Sequence, residues 1–183
     1  INDPPRAEAA HAVALMKKCG IKNVVMLTGD SSAAAEKIAQ QLGITEVHAQ
    51  VLPEDKHSHV EQLKSQGRCV IMVGDGINDA PALAAADVSV AMSDASDIAK
   101  ETADITLRGA DLTELAVLRR LSEHLMERIN SNYRFILTFN TALLALGFVG
   151  VITPSMSALL HNGSTIAICV KSMTPLLKGS DTL

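Results

Sequence analysis

The chain has 183 residues, a formal net charge of -4 and 48% hydrophobic content. An acidic balance argues against nucleic acid as a partner, and the length allows one ordinary core plus a further segment. Cys19, Cys69 and Cys169 lie far apart without a CxxC pair, which argues for free thiols in a reducing compartment over a disulfide framework or a zinc cluster.

In chain order, Ile1 falls in the middle of a polar, proline-containing stretch with no signal peptide, which reads as an excision point. "PRAEAAHAVALMKKCG" follows as a helix, with a proline near its start and Gly20 where a C-terminal cap belongs. The short β-branched runs "NVVMLTGD", "TEVHAQV" and "RCVIMVGDG" alternate with the helical segments "SSAAAEKIAQQLG", "PEDKHSHVEQLKSQG" and "NDAPALAAAD". "DVSVAM" and "ADITL" add further strands. This alternation predicts an α/β fold built on a parallel sheet covered by helices.

Ligands of such sheets sit outside the carboxyl ends of the strands, where loops and helix N-termini converge. "TGD" at 28–30 and "GDGIND" at 74–79 both fall there and are expected to face one pocket. Thr28 offers a hydroxyl, Gly29 allows close backbone approach, and the helix after Asp30 presents free N–H groups; together these suit a phosphate. Asp75 lies one residue past its strand, and Asn78 and Asp79 open the next helix. Hard oxygen ligands beside a phosphate site suit a magnesium ion. Either tripeptide alone is a common strand-to-turn sequence; the octet "GDGINDAP" carries the specificity.

That octet, with "MLTGD" before it and "PEDK" between, resembles the phosphorylation domain of P-type ATPases, a partial Rossmann-like sheet of the haloacid-dehalogenase-like superfamily. The resemblance covers nearly the whole chain. It implies that Thr28, Gly29 and Asp30 surround a transferred phosphoryl group, that Lys56 neutralises its charge, and that Asp75 ligates Mg2+. It also implies that Asn78 and Asp79 hold the phosphate and the metal shell, with ATP as substrate. Positioning and charge stabilisation are what phosphoryl transfer requires. The family's nucleophile, the aspartate of a D-K-T-G-T motif, has no match, since the pair Asp55-Lys56 continues as "HSHV". The nucleophile, the nucleotide-binding domain and a central strand of the sheet are therefore expected upstream of Ile1, in a missing N-terminal part of the same pump, leaving an exposed apolar seam.

Beyond residues 1–110, assigned to the phosphorylation domain, "DLTELAVLRRLSEHLMERINSNYRF" opens with a capping box, Asp111 to Glu114, and places leucines at helical spacing. It predicts an amphipathic helix over 111–134, which the resemblance implies is a stalk. The run from Phe135 to Ile152 and the shorter stretch "SALLHNGSTIAICV" are nearly free of charge. They predict a membrane-spanning α-helical hairpin over 135–177, with a tail at 178–183. Arg119, Arg120, Arg128 and Arg134 precede the first span, and Lys171 and Lys178 follow the second, so both ends and the soluble part are expected in the cytoplasm, at a plasma or inner membrane.

Polar groups inside a span invite a functional reading. Asn140 lies in the first span and "HNGST" at 161–165 in the second, a pairing that resembles the heavy-metal-transporting branch of the P-type ATPases. His161 offers a nitrogen, and Asn140, Asn162 and Thr165 offer oxygens, a set suited to a transported divalent transition metal such as manganese, cobalt or zinc. The bland alternative is that Asn140, Ser164 and Thr165 merely bond between helices. His57 and His59, two apart, are expected to be solvated, and His11, His48 and His124 have no partner at ligand spacing. Two other readings of the chain remain: a soluble phosphatase of the same superfamily, which the missing nucleophile opposes, and a non-catalytic fragment that binds phosphate or magnesium without turnover.

Overall fold

Helix caps and strand ends punctuate the first part of the chain where its glycines and prolines stand. The computed structural model describes residues 5–109 and 111–177, so Lys178 and the expected tail at 178–183, with Ile1 to Pro4, lie outside the described residues. Contacts divide the chain into two units, Ile1–Ala116 and Val117–Leu183.

The first unit begins with α1 (Ala9–Lys18), which buries Ala9, Ala12, Val13 and Leu15. Its end is a left-handed cap: Gly20 has φ 84, and the Ile21 N–H donates to the Met16 carbonyl at 3.1 Å. β1 (Val25–Leu27) pairs in parallel with β2 (Glu46–His48), and α2 (Ser32–Leu42) connects them, ending in the same way at Gly43. α3 (Pro53–Ser65) starts with Pro53 in its first turn and with Glu54 and Asp55 beside the positive end of the helix dipole. It leads to β3 (Ile71–Gly74), a short 3-10 turn at Ile77–Asp79, α4 (Ala80–Ala85) and β4 (Val88–Ala91). A further helix, α5 (Asp97–Thr102), then precedes β5 (Ile105–Thr106).

β3, β4 and β5 form a second parallel sheet, with Ile71 opposite Val88, Gly74 opposite Ala91 and Val90 opposite Ile105. Alternation across β4 serves two cores. Ala91 packs with Leu83, Ala95, Ala99 and Met72 on the α4 and α5 side, whereas Val88 and Val90 pack with Leu107, Leu115 and Met16 on the other. The single sheet expected from sequence is thus two parallel sheets, of two and three strands, and β1 and β3 are neighbours in neither. Ile71, on β3, is 45% exposed.

One polar pair is built into the second sheet. The Ser89 hydroxyl and amide both donate to Asp104 Oδ2, at 2.7 and 2.9 Å, and Ser89 Oγ accepts from the Asp104 N–H at 2.9 Å. These bonds, the hydroxyl first, hold the Asp104 carboxyl below the usual aspartate range. A depressed folded-state value means that the stabilisation is fully present above the unfolded-state value and is lost as pH falls through the folded one. Thermal unfolding followed by circular dichroism is expected to show wild type above Asp104→Asn at neutral pH, with the gap closing as pH drops below the usual aspartate range.

The second unit is dominated by α6 (Glu114–Phe148), which begins at the end of the first, and α7 (Pro154–Ser172). The expected capping box is altered. Asp111 Oδ1 accepts the Thr113 N–H at 2.8 Å, but Glu114 reaches back to the Gly109 N–H at 3.3 Å, and the helix starts at Glu114. α6 is one helix through residues 134 and 135, so the expected stalk and the expected first span are continuous.

The membrane-spanning hairpin is corrected in its apolar length. Among the described residues, no helix is long and apolar enough to cross a membrane. The run 135–152 is helical only to Phe148, because the chain turns at Gly150, whose φ is 78, and the Val151 N–H caps the Leu146 carbonyl at 2.9 Å. In α7, the Thr153 hydroxyl caps the Met156 N–H and Pro154 occupies the first turn, but the polar "HNGST" interrupts the apolar run. The far end of α7 is held by α6. Arg128 donates to the carbonyls of Ser172, Thr174 and Pro175 at 3.1, 2.6 and 3.2 Å, and Asn132 links Lys171 to the Ser172 hydroxyl. Orphan carbonyls at a helix C-terminus find a cation here.

Candidate phosphoryl and cation sites

The loop after β1 folds on itself. Thr28 Oγ1 donates to Asp30 Oδ2 at 2.9 Å and accepts the Asp30 N–H at 3.1 Å. Its backbone is tied to the neighbouring strand end on both sides, with Thr28 N–H donating to His48 O and Val51 N–H donating to Thr28 O, both at 3.0 Å. Gln50, the one non-glycine residue with positive φ among those described, donates its N–H to Asp30 O at 2.9 Å. Such strain persists only where the surroundings fix it. Gly29 is exposed, and a Cβ there would come no closer than 3.7 Å to Val51 O, so sterics do not require glycine for the loop's own fold.

Val51 leads directly into α3, and the second side chain cluster begins there. Lys56 Nζ sits 2.6 Å from Asp79 Oδ1, with side chains 17% and 11% exposed. Asp79 Oδ2 also accepts the Gly76 N–H at 3.4 Å. The aspartate fits against the end of β3, where a Cβ on Gly74 would lie 2.9 Å from its own Cβ. Only glycine leaves that space, which ties the "GDGIND" spacing to the ion pair. Asp75 and Asn78 are exposed beside it, and the Asp75 carbonyl accepts the Ser96 N–H at 2.8 Å. Ser96 Oγ in turn caps α5 through the Ala99 N–H at 3.2 Å.

The structure therefore joins Lys56 to Asp79 and Thr28 to Asp30. Among the described residues, no side-chain bond links the two pairs, and neither Asn78 nor Asn162 makes one. The Asp75 carboxylate is exposed, whereas the Asp79 oxygens take Lys56 Nζ and the Gly76 N–H; carboxylate oxygens of this kind are the hard donors magnesium takes. No group of three or more histidine, cysteine or carboxylate side chains poised for a metal is found among the described residues.

On the helices of the second unit, His161 Nδ1 lies 2.9 Å from Asn140 Oδ1 across α7 and α6. The hydroxyls of Ser164 and Thr165 donate to the His161 carbonyl at 2.7 and 3.1 Å. Two neighbourhoods escaped the sequence reading. His48, expected to have no partner at ligand spacing, and His59, expected to be solvated, bring their ring centroids to 4.6 Å, and Ser96 supports Asp75 from the start of a helix with no apolar periodicity. The first depends on the approach of β2 to α3, which spacing does not reveal. The second had a signal in the Ser96-Asp97 start, a common N-cap pair.

Comparison with known proteins bears on the family. A family model described as haloacid dehalogenase-like hydrolase matches residues 1–87. The manganese-exporting P-type ATPase of Mycobacterium tuberculosis is 44% identical over 173 residues, 94% of this chain and 24% of that protein. A probable cadmium-transporting ATPase of Listeria monocytogenes is 38% identical over 99% of this chain and 26% of its own length. The crystal structure of a zinc-transporting PIB-type ATPase in its E2.Pi state superposes with a TM-score of 0.89 at 36% identity, over 96% of this chain and 28% of that one. The chain thus spans about a quarter of the length of the relatives it matches. With its haloacid-dehalogenase-like fold, its "GDGIND" strand end and a likeness that runs through α7, the chain is similar over nearly its whole length to one part of the heavy-metal P-type ATPases.

Proposed function

We propose that this chain supplies the phosphoryl and magnesium site, the stalk helix and a pair of membrane helices to an ATP-driven transporter of a divalent transition metal. The observation that carries this reading is the Lys56–Asp79 pair at 2.6 Å, seated on the glycine end of β3. It holds an ammonium group at the strand end where an incoming phosphoryl group would need charge compensation. Thr28 and the turn it forms with Asp30 orient the phosphoryl oxygens. Asp75 and Asp79 would hold Mg2+, which when bound neutralises charge on the transferred group. Asn78 positions the metal shell.

The phosphorylated aspartate and the nucleotide site are contributed by another part of the same pump. The open edges of β1 and β3 suit a parallel strand from that part. Exposed Leu144, Phe148, Leu159 and Ile166 favour lipid around α6 and α7. Arg134 and Lys171 reach the interface and offset the short apolar length. His161, with Thr165 and the neighbouring Asn162, lines the cation path, and Asn140 faces it from α6.

The test is metal-stimulated ATP hydrolysis by the complete protein carrying this chain. Asp75→Asn is expected to lower turnover about 100-fold, the cost of one lost charge-stabilising group at a reacting centre. Unchanged turnover would remove Asp75 from the site and the reading with it.

A further inference from the structure

We infer that Arg128 is a positioning residue for the transported metal: by fastening the C-terminal end of α7 to α6, it holds the polar segment 161–165 at a fixed tilt and rotation. This rests on the proposed cation path. α7 buries none of its residues, so apolar packing does not by itself set how the helix lies. One end is fixed by the chain, through the turn at Gly150 and the Thr153 hydroxyl that caps the Met156 N–H. The polar segment lies midway along the helix, and the other end needs an anchor of its own.

Arg128 supplies it. Its Nη1 donates to the Ser172 and Thr174 carbonyls at 3.1 and 2.6 Å, and its Nη2 donates to the Pro175 carbonyl at 3.2 Å. These acceptors belong to the last residue of α7 and the turn after it, where carbonyls lack intrahelical partners. A planar guanidinium meets several acceptors in one fixed orientation, which a single flexible ammonium cannot do. Asn132, one turn along the same face of α6, adds a second tie. Lys171 only donates, so the Asn132 amide oxygen faces it at 3.2 Å and the amide nitrogen turns to the Ser172 hydroxyl at 3.1 Å. A slip of α7 by one residue would carry Ser172 about 1.5 Å along the axis and about 100° round it, breaking both ties. Neither Arg128 nor Asn132 belongs to the phosphoryl site or the cation path, so their effect on the metal reaches it through the helix pair.

The experiment is ATP hydrolysis by the complete protein reconstituted in lipid, titrated with Mn2+ or Zn2+ alone. Arg128→Gln is expected to raise the half-saturating metal concentration about 2–30-fold, the range for residues that touch neither ligand, with kcat at saturating metal and the KM for ATP unchanged. Arg128→Lys is expected to recover only part of the shift. Asn132→Leu, which leaves the guanidinium in place, is expected to shift the same way by less, and it decides the matter where Arg128→Gln fails to fold. An unchanged half-saturating concentration, a full recovery by lysine, or a parallel loss of kcat and ATP affinity overturns the inference while the cation path stands. Wild-type hydrolysis that responds to neither ion overturns the path and the inference together.

Discussion

Asp79→Ala is expected to lower the stability of the first unit by about 3–5 kcal/mol, the cost of leaving one member of a buried ion pair without its partner. Lys56 and Asp79 are 17% and 11% exposed, so water cannot readily replace either group. The substitution also frees the Gly76 N–H and empties the space against Gly74 that the aspartate fills. Protection of the β4 amides against hydrogen exchange reads this cost, since that central strand opens only when the unit does. A loss of less than about 1 kcal/mol would mean that the pair is solvated in solution, as exposed pairs are.

The double variant Lys56→Met with Asp79→Leu separates folding from chemistry. Replacing both charges by apolar groups of similar volume is commonly neutral or stabilising, so much of the lost protection is expected to return. Phosphoryl transfer by the complete protein should not return, because the ammonium group that would compensate the phosphoryl charge is gone. Recovery of both would show that the pair serves the fold alone.

The same pair shows what sequence can carry. "TGD", "PEDK" and "GDGIND" located the strand ends because glycine, aspartate and proline are needed there by backbone geometry, which is a local requirement. The resemblance gave Lys56 and Asp79 separate roles, at the phosphoryl charge and at the metal shell, and that the two would pair, 23 positions apart, was legible neither from it nor from spacing. The Ser89–Asp104 pair and the approach of His48 to His59 are set by strand register and helix packing, and neither leaves a local signature. α5 was missed because six residues are too few to show periodicity. The helical hairpin was legible as two apolar stretches, but its apolar length was overread: composition counted Val149 to Ile152, and the turn at Gly150 removes them from the helix.

Leu83→Ala is expected to cost the first unit about 3–4 kcal/mol, near the middle of the range for buried leucine truncations. Leu83 is 1% exposed and is the one large side chain among the buried residues of its cluster, whose other members are Ala91, Ala95 and Ala99. Alanines cannot reach into a vacated volume, and the spread of such costs depends on how far a site can collapse. Met72, partly buried against the cluster, is the neighbour flexible enough to fill some of it. Leu83→Met, which nearly conserves volume, is therefore expected to cost less than about 1.5 kcal/mol. Both are measured by β4 amide protection, as above. Leu83 also lies one helical turn beyond Asp79, so a cavity beneath α4 loosens the segment that presents the aspartate to Lys56. Leu83→Ala should thus lower turnover of the complete protein, and Leu83→Met should restore it with the packing. A truncation that costs stability but leaves turnover intact would show that the 3-10 turn and its glycines hold Asp79 without the core below.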